Sequence, residues 1–197
     1  MSDIIITGHK SKIAQEFTKL VEPASVLGVR CEDIDKHLQA SRYLFCQGYL
    51  AGKSSEEISA EEFRKTMDVN YVMIVKAITS IIGSNPFAKI CVITSYSGYK
   101  GSYDSAYASS KRLMNDFIET VKLSSRHQQV VGIAPWIVQD AGMTVRREDH
   151  KTLTKYKNNH PLKRFSNSDE VAALAYDLLF KHRYINNTVI KMHGGRV

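Results

Sequence analysis

Cysteine is scarce in this 197-residue sequence, and no two cysteines have the spacing of a metal or redox motif. The chain contains three, Cys31, Cys46 and Cys91, which lie far apart in or beside apolar stretches. A scattered free cysteine usually behaves as a small buried hydrophobic residue. We therefore expect three reduced packing residues, and we expect no metal site.

Long apolar runs and linker-like segments are also missing. No apolar run reaches the roughly 20 residues that a membrane-spanning helix needs, and the start MSDIIITG lacks the basic and long apolar regions of a signal peptide. No tract rich in glycine, serine and proline divides the chain, and 43% hydrophobic and 24% charged residues are ordinary for a globular protein. These absences predict one cytoplasmic domain that does not act in a membrane.

Acidic residues are outnumbered, 20 against 27 lysines and arginines, which gives a formal net charge of +7. Much of the excess lies between Arg146 and Arg164, where the only acidic residues are Glu148 and Asp149. Such a segment is either a solvated loop or a contact surface for an anionic partner. The sequence has no nucleic-acid recognition motif, so nucleic-acid binding is the weaker alternative and we expect no nucleic acid as a partner.

Strand and helix patterns alternate along the chain. Stretches rich in β-branched residues predict strands at 3–7, about 25–30, 43–46, 89–94 and 129–134, with a last strand in NTVIKM. The helix patterns between them are IAQEFTKLV after Gly8, a long helix over 59–82 opened by a Ser59/Glu62 capping box, a helix through Tyr107, and SDEVAALAYDLLF with Ser168 as its N-cap. This alternation predicts an α/β protein with a parallel sheet, in which ligands bind at the carboxyl ends of the strands.

The spacing Tyr-x-x-x-Lys occurs three times, as Tyr49/Lys53, Tyr96/Lys100 and Tyr107/Lys111. This spacing brings two side chains together only on a helix, and the glycines inside the first two pairs disfavour one. The third pair continues into KRLMNDFIETVKL, where apolar residues recur at helical spacing. We therefore expect Tyr107 and Lys111 one turn apart on an amphipathic helix, and we expect the Tyr96/Lys100 match to be coincidental.

Ser95 follows the predicted strand 89–94, so its hydroxyl can lie near the Tyr107 phenol. A phenol with a pKa of about 10 becomes an acid/base catalyst near neutral pH when an ammonium such as that of Lys111 favours its ionised form. Tyr107 can then exchange a proton with a carbonyl or alcohol oxygen, while Ser95 hydrogen-bonds the same oxygen. Because no side chain donates a hydride, a carbonyl reduction implies a nicotinamide cofactor.

The order of several motifs resembles that of the short-chain dehydrogenase/reductase family over nearly the whole chain. The pieces that carry the resemblance are TGHKSKIA (7–14), CQG (46–48), DVN (68–70), ITS (93–95), YASSK (107–111), APW (134–136), PLKRF (161–165), SDEV (168–171) and VIKMHGG (189–195). The resemblance implies a single Rossmann-like NAD(P)-binding domain with a doubly wound parallel sheet of about six strands flanked by helices. It also implies a homodimer or homotetramer formed through the helices over 59–82 and 105–123.

By this resemblance Asn70, Ser95, Tyr107 and Lys111 form a catalytic tetrad. Tyr107 is then the acid/base, and Ser95 anchors the substrate oxygen. Lys111 binds the nicotinamide ribose and lowers the pKa of Tyr107, and Asn70 holds a water that connects Lys111 to a proton relay. For Asn70 an alternative stands beside this role, because a helical asparagine can satisfy backbone groups where a helix bends.

The cofactor-binding residues implied by the resemblance are Gly8, Lys10, Lys12, Ile13, Arg30, Gln47, Gly48, Asn70, Tyr107, Lys111, Pro135, Trp136 and Val138. Some of them depart from the family's pattern. Lys12 and Ala14 replace glycines of the first turn, and the Lys12 side chain either weakens dinucleotide binding or contacts a cofactor phosphate. Gln47 replaces an alanine. Trp136 replaces a glycine and either closes over the nicotinamide end, narrows the substrate pocket or is a core residue.

The segment between Arg30 and Gly48 is too short for the helix, strand and helix that the family places there. One strand and its helix are therefore missing on the adenosine side, and Arg30 ends the second strand, where it meets the 2′-phosphate of NADP. Alternatively, VLGVRCEDI corresponds to the family's third strand, with Asp33 and Ile34 against adenine. Lys10, Lys12 and Arg30 together favour NADP(H) over NAD(H).

These inferences predict an NAD(P)(H)-dependent oxidoreductase that interconverts a small-molecule carbonyl and a secondary alcohol. The basic segment over about 142–166 lies where the family covers its substrate, and PLKRF is similar to the same part of 3-oxoacyl carrier-protein reductases. An anionic substrate, or one bound to a carrier protein, fits this charge. The alternative is a non-catalytic nucleotide-binding scaffold or sensor. The altered first turn and the missing strand favour that alternative, and the intact set of four catalytic residue types argues against it.

Overall fold

A computed structural model describes residues 3–196 and contains a six-stranded sheet with the order β2-β1-β3-β4-β5-β6. The strands are β1 Ile4–Thr7, β2 Val26–Val29, β3 Arg42–Phe45, β4 Lys89–Ile93, β5 Gln129–Pro135 and β6 Thr188–Met192. Every neighbouring pair of strands is parallel. The predicted Rossmann-like α/β fold is therefore confirmed.

Helices cover both faces of this sheet. They are α1 Lys12–Thr18, α2 Ala60–Met67, α3 Met73–Ser84, α4 Ser97–Lys100, α5 Ser105–Thr120, α6 Gly142–Val145, α7 His150–Asn159 and α8 Ser168–Phe180. α1 and α8 pack on one face around Phe17 and Leu179, and α3 and α5 pack on the other around Tyr43 and Ile118. Among the described residues, no helix is both long enough and apolar enough to cross a bilayer.

The adenosine-side edge of the sheet is short. β2 pairs directly with β1, from Ile4 opposite Val26 to Thr7 opposite Val29, as the second strand of a doubly wound sheet does. The described chain then runs through a 3-10 turn, Cys31–His37, to β3 without a further strand and helix. The prediction of about six strands is confirmed, and β2 lies beside β1, where a doubly wound sheet has its second strand. Ile34, the adenine contact of the alternative, lies in the core at 3% exposure.

The direction of winding changes between β1 and β3, which is where a doubly wound sheet opens a crevice at its carboxyl edge. Thr7 lies opposite Phe45, and Phe45 lies opposite Val92. The residues that follow these three strands are therefore neighbours at one edge. They belong to the segments that contain Gly8, Gln47 and Ser95.

The predicted long helix over 59–82 is interrupted. It consists of α2, a π-turn at Asp68–Val72 and α3. The capping box that opens it is confirmed: Glu62 N donates to Ser59 Oγ at 3.2 Å, and Ser59 N donates to Glu62 Oε2 at 3.0 Å. A π-turn inserts an extra residue into a helix and is frequent at functional sites. Here it contains Asn70.

The predicted N-cap of α8 is wrong by one residue. Asn167 is the N-cap and forms a capping box with Glu170, whose carboxylate accepts from Asn167 N at 2.9 Å. Ser168 is instead the first residue of the helix and is buried. Its backbone N and its hydroxyl both donate to Asp140 Oδ1, at 2.8 and 2.9 Å. These bonds attach α8 to the segment that follows β5.

The basic segment, interpreted from sequence as a loop, contains α6 and α7. None of the residues of α7 is buried, so the helix has no apolar stripe that could have predicted it. Two of the arginines are paired within the segment or close to it. Arg147 contacts Asp149 at 2.6 Å, and Arg164 contacts Glu170 at 2.6 Å. The lysines of α7 remain exposed.

Candidate active site

Four of the predicted site residues come together at the carboxyl edge of the sheet. Asn70 lies in the π-turn, Ser95 follows β4, and Tyr107 and Lys111 lie in the first half of α5. Ser95 lies beside the Tyr107 phenol, and Lys111 Nζ lies 5.7 Å from the centroid of the Tyr107 ring. Asn70, Ser95 and Lys111 are 0%, 7% and 2% exposed. The site is therefore polar but enclosed.

Burial raises the pKa of the Tyr107 phenol above its ordinary value. The Ser95 hydroxyl lowers this pKa, and the negative charge of Asp104 raises it further. Lys111, which was predicted to lower the pKa of Tyr107, is not among the groups that shift it. In the protein alone, the Tyr107 phenol is therefore protonated at neutral pH and is in the form of a proton donor.

Lys111 lies one helical turn beyond Tyr107, and its Nζ donates to the backbone carbonyl of Ile93 at 3.4 Å. Burial lowers the pKa of this ammonium to about 8, although the nearby Cys46 thiol raises it slightly. At neutral pH most of Lys111 is charged. A pKa so close to neutrality also suits a group that passes protons.

Asn70 has three hydrogen bonds in the interior. Its Oδ1 accepts from Tyr49 N at 2.7 Å, and its Nδ2 donates to Tyr49 O at 2.8 Å and to Ser110 Oγ at 3.1 Å. The side chain therefore satisfies backbone groups beside a bent helix, which is the alternative that the sequence left open. These contacts also fix Asn70 beside the segment that follows β3.

Gly48 lies between Asn70 and Lys111. A Cβ added at Gly48 would lie 3.7 Å from Asn70 Oδ1 and 3.9 Å from Lys111 Nζ. It would also lie 3.1 Å from Met143 Cε, a tighter contact than most Cβ atoms make. The backbone of Gly48 thus forms an exposed wall of the site, and Met143 of α6 lies beside it.

The other two Tyr-x-x-x-Lys pairs do not form the same arrangement. Residues 97–100 are helical despite Gly98, contrary to the sequence prediction, because the Gly98 backbone packs against α5. The Tyr96 hydroxyl nevertheless donates to Arg196 O at 3.4 Å, and Lys100 is exposed. In the first pair, Lys53 contacts Glu62 at 2.7 Å. Only Tyr107 and Lys111 share an enclosed site.

Gly8 forms the turn that follows β1. Its φ is +65°, and an added Cβ would lie 2.4 Å from Gln47 N, so only glycine fits here. The Thr7 hydroxyl donates to Gln47 Oε1. Gln47 Nε2 is buried and has no hydrogen-bond partner among the described residues. A buried donor without an acceptor costs about 1–3 kcal/mol, so Gln47 Nε2 is an unsatisfied donor next to the turn.

The lysines of the first turn differ in their surroundings. Lys10 is exposed. Lys12 begins α1, and its Nζ contacts Glu16 at 2.8 Å, so its charge is engaged along the helix. Ile13 is 9% exposed and belongs to the core beneath the turn. Of the two lysines, Lys10 has the freer ammonium.

The cysteines are all free thiols. Burial raises the pKa of Cys31 to about 11 and that of Cys46 to about 12, so both stay protonated and unreactive. Cys91 is fully buried between strands. The prediction of reduced packing residues is confirmed. Across residues 3–196, no group of three His, Cys, Asp or Glu side chains could hold a metal ion.

Comparison with known sequences decides the family. Residues 39–196 match a family profile described as enoyl-(acyl carrier protein) reductase, which is a profile of short-chain dehydrogenases/reductases. This chain belongs to the short-chain dehydrogenase/reductase family. A comparison with curated proteins gives no match.

Solved structures similar to this short-chain dehydrogenase/reductase cover almost its whole length. A protein of the family from Brucella melitensis, described as a glucose/ribitol dehydrogenase, has a TM-score of 0.85 at 16% identity, over 98% of this chain and 95% of that chain. One from Francisella tularensis has a TM-score of 0.84 at 18% identity, over 99% and 98%. A variant actinorhodin polyketide ketoreductase with NADPH has a TM-score of 0.85 at 14% identity, over 98% and 97%. At these identities the similarity shows the shared fold.

Arg30 occupies the edge where this short-chain dehydrogenase/reductase lacks a strand. It lines an open cavity of about 530 Å³ together with His9, Gly28 and Lys36. Its guanidinium Nε donates to Asp33 Oδ2 at 2.9 Å, and 75% of its side chain is exposed. A Cβ added at Gly28 would lie 2.6 Å from the His9 ring, so the two residues are in close contact. Arg30 is thus accessible but paired.

The three predicted residues after β5 have different surroundings. Pro135 is buried at the end of the strand, and Val138 is 6% exposed in the core. Trp136 is half-buried and stacks on His160, with ring centroids 5.1 Å apart. The Arg196 guanidinium lies 4.0 Å from the centre of the Trp136 ring. Trp136 therefore belongs to an aromatic cluster that joins the basic segment to the carboxyl end of the chain.

Three residues of the site were missed in the sequence. Asp104 is a capping residue at the start of a predicted helix, so the preference of N-caps for aspartate could have identified it. Ser110, which bonds Asn70, is one of many serines and carries no signal. Met143 lies in a short helix, and no sequence pattern indicates its contact with Gly48.

Proposed function

We propose that this protein is an NADP(H)-dependent oxidoreductase that interconverts a carbonyl and a secondary alcohol, with Tyr107 as the acid/base. One observation carries the proposal. A protonated phenol, the hydroxyl of Ser95 beside it and a buried ammonium 5.7 Å from the phenol ring meet at the carboxyl edge of the sheet. Membership of the family supports the reaction class.

The residues present fit a nicotinamide dinucleotide. The turn at Gly8 admits no side chain, so a ligand can approach the backbone. Gln47 Nε2 is a buried donor in need of an acceptor, and the uncovered backbone of Gly48 lies beside Lys111. We infer that Gly8 and Gln47 hold the pyrophosphate end and that Lys111 binds the nicotinamide ribose.

Each residue has a distinct role in the proposed reaction. The bound cofactor supplies or accepts the hydride. In the direction of reduction, Tyr107 gives its phenolic proton to the substrate oxygen. Its raised pKa keeps the phenol protonated before this step. Ser95 Oγ accepts from Ser97 N at 3.1 Å, so its hydroxyl proton can be donated to the same substrate oxygen. Lys111 returns a proton towards Tyr107 after each turnover.

The preference for NADP(H) over NAD(H) rests on charge. Arg30 at the end of β2 and the exposed Lys10 both lie on the adenosine side, where a 2′-phosphate would be bound. Asp33 competes for Arg30, since the two side chains are 2.9 Å apart. Two of the similar solved structures contain NADPH.

The substrate class is inferred from the surface charge of α7, and the assembly from the family. α7 presents Lys151, Lys155 and Lys157 to solvent from the segment that follows β5. We infer that this surface favours an anionic substrate or one attached to an acidic carrier protein. Because the family is often oligomeric, we also propose a homodimer or homotetramer through the helices over 59–82 and 105–123.

The first experiment is a titration of the purified protein with NADPH and with NADH, followed through the fluorescence of Trp136, the single tryptophan. Micromolar binding, tighter for NADPH, is expected. Turnover is then measured on a panel of ketones and 3-ketoacyl thioesters. Binding without any turnover would favour the scaffold or sensor alternative, which the short adenosine-side edge supports. Absence of binding by either nucleotide would overturn the proposed function.

A further inference from the structure

Asp104 is a fully buried carboxylate beside the proposed acid/base. It is 0% exposed, and it is the N-cap of α5, the helix that carries Tyr107 and Lys111. Its Oδ1 accepts from Tyr107 N at 2.9 Å. The bond holds the backbone of Tyr107 itself, not a neighbouring residue.

The second oxygen of the same carboxylate reaches a different part of the chain. Asp104 Oδ2 accepts from Gly52 N at 3.0 Å, although the two residues are 52 positions apart. Gly52 has a φ of +74° and belongs to the segment that Asn70 holds at Tyr49. Asp104 therefore joins the start of α5 to the segment that leads from β3 and Gly48 over the site.

A neutral cap would serve the helix equally well, since serine, threonine and asparagine are comparable N-caps. A buried charge costs free energy unless it is paired, and no lysine or arginine of residues 3–196 forms an ion pair with Asp104 within 4.0 Å. Its charge is satisfied by backbone N–H groups at a helix N-terminus. Unlike a neutral cap, the carboxylate has two oxygens that accept from Tyr107 N and Gly52 N at once, which points to a role beyond capping.

We propose that Asp104 is a positioning residue for Tyr107: its carboxylate links the backbone N of Tyr107 to that of Gly52 and so fixes the first turn of α5, which carries the phenol. This inference rests on the proposed role of Tyr107. Around the phenol stand Ser95 from the end of β4, Lys111 from the next turn of α5 and Asp104 from the cap. Asp104 is the charge that raises the pKa of Tyr107. Arg147 and Asp149 lie farther out, beside Tyr103.

Two variants separate the two parts of the proposal. Asp104→Asn keeps one acceptor for Tyr107 N, removes the charge and replaces the acceptor of Gly52 N by an NH2 group, whereas Asp104→Ala removes both oxygens. The control is Asp116→Asn, which removes the same charge from an exposed position of the same helix. The ionisation of Tyr107 is followed by phenolate absorbance, as the difference between each protein and the same protein with Tyr107→Phe. No cofactor or substrate is added.

Removal of a negative charge lowers the pKa of a nearby phenol, so Tyr107 should ionise at lower pH in Asp104→Asn than in wild type. With NADPH and a ketone from the panel, the alkaline decline of reduction should begin at lower pH in this variant, with kcat otherwise within about threefold of wild type. Asp104→Ala should lose about 10- to 100-fold in kcat, because Tyr107 is displaced. Asp116→Asn should match wild type in every measurement.

A Tyr107 titration that is the same in Asp104→Asn and Asp116→Asn would overturn the charge effect, and wild-type kcat in Asp104→Ala would overturn the positioning role. The absorbance titration needs no turnover, and Asp104→Asn is isosteric, so the test does not depend on the alanine variant folding. If the titration shifts but no ketone is reduced by wild type, the proposed function fails, and with it the positioning role in catalysis, while the effect of the Asp104 charge on Tyr107 stands.

Discussion

The side chain of Asn70 pairs with the backbone of Tyr49 as one strand residue pairs with another. Tyr49 N donates to Asn70 Oδ1 at 2.7 Å, and Asn70 Nδ2 donates to Tyr49 O at 2.8 Å. The π-turn at Asp68–Val72 puts this amide where a regular helix would not. An interruption of the long helix is thus coupled to the path of the chain over the site.

Asn70→Ala should be strongly destabilising, because it leaves the Tyr49 N–H and carbonyl without their partners. We expect a loss of about 2–4 kcal/mol in the free energy of unfolding, measured by urea denaturation. Turnover should fall as well, since the Gly48 wall of the site is no longer held.

Asn115→Ala is the matched control for this prediction. Asn115 is 1% exposed on α5, yet neither polar atom of its side chain has a partner among the described residues. Its removal deletes no hydrogen bond, so we expect a change of less than about 1 kcal/mol. Equal losses for the two variants would show that the Asn70 bonds do not contribute as argued.

Gly8→Ala should destabilise the fold and weaken nucleotide binding together. The positive φ costs an alanine about 1–2 kcal/mol, and the added Cβ would lie 2.4 Å from Gln47 N. We expect a total loss above about 2 kcal/mol and at least about tenfold weaker NADPH binding. Thermal unfolding and Trp136 fluorescence measure the two effects.

Gly83→Ala tests whether this result is specific to the turn. Gly83 lies in α3, and an added Cβ would meet nothing within 4 Å. Alanine is the better helix former by about 1 kcal/mol, so this variant should be slightly more stable and should bind NADPH like wild type. A similar loss in both variants would contradict the prediction.

Much of the fold could be predicted because apolar periodicity reports on burial. The strands and α5 follow directly from it. α7 could not be predicted, because it has no apolar face to reveal it. The cap of α8 was misplaced although the sequence contains the right signal: Glu170 stands three residues after Asn167, not after Ser168.

The candidate site was predictable where local spacing dictates geometry, as for Tyr107 and Lys111. It was not predictable where a contact with a residue distant in the sequence fixes the position of a side chain. The free amide of Gln47 depends on the Thr7 hydroxyl 40 residues away. The position of Asn70 depends on Tyr49, 21 residues earlier. The direction in which the pKa of Tyr107 shifts depends on burial of the phenol, which the sequence does not reveal.

Arg30→Ala should weaken NADPH binding more than NADH binding, because only NADPH has a 2′-phosphate for the guanidinium. We expect about a tenfold loss, equivalent to about 1.4 kcal/mol, for NADPH and little change for NADH. Asp33→Ala should have the opposite effect on NADPH, since it frees Arg30 from its partner. Arg126→Ala, exposed before β5, serves as the control. Equal losses for both nucleotides would argue against a phosphate contact.

Tyr107→Phe should abolish turnover and spare cofactor binding. The phenol is the proposed proton donor, and general acid/base catalysis contributes about 10²–10⁴-fold to a rate. We therefore expect kcat to fall by that factor while the NADPH dissociation constant changes less than about threefold. Tyr96→Phe, from the coincidental Tyr-x-x-x-Lys pair, should keep its activity. Full activity in Tyr107→Phe would remove the proposed mechanism.

Lys111→Met should stabilise the protein in a pH-dependent way. The pKa of Lys111 is about 8 in the folded protein and 10.5 in its ordinary state. Between these values the unfolded chain binds more protons, so the free energy of unfolding of wild type rises with pH across this window. Below pH 8 the buried charge costs its full amount, on the order of 3 kcal/mol. The variant should be more stable there by that order, and the difference should vanish towards pH 10.5.

Urea denaturation of both proteins from pH 7 to pH 10 measures this difference. Tyrosines and cysteines titrate in the same range, but they do so in both proteins and cancel in the comparison. Lys122→Met, exposed just beyond α5, should change stability by less than about 0.5 kcal/mol throughout. An advantage of Lys111→Met that is constant with pH would mean that packing, not desolvation of the ammonium, is its cause. In that case Lys111 does not titrate near neutrality and cannot return protons to Tyr107 as proposed.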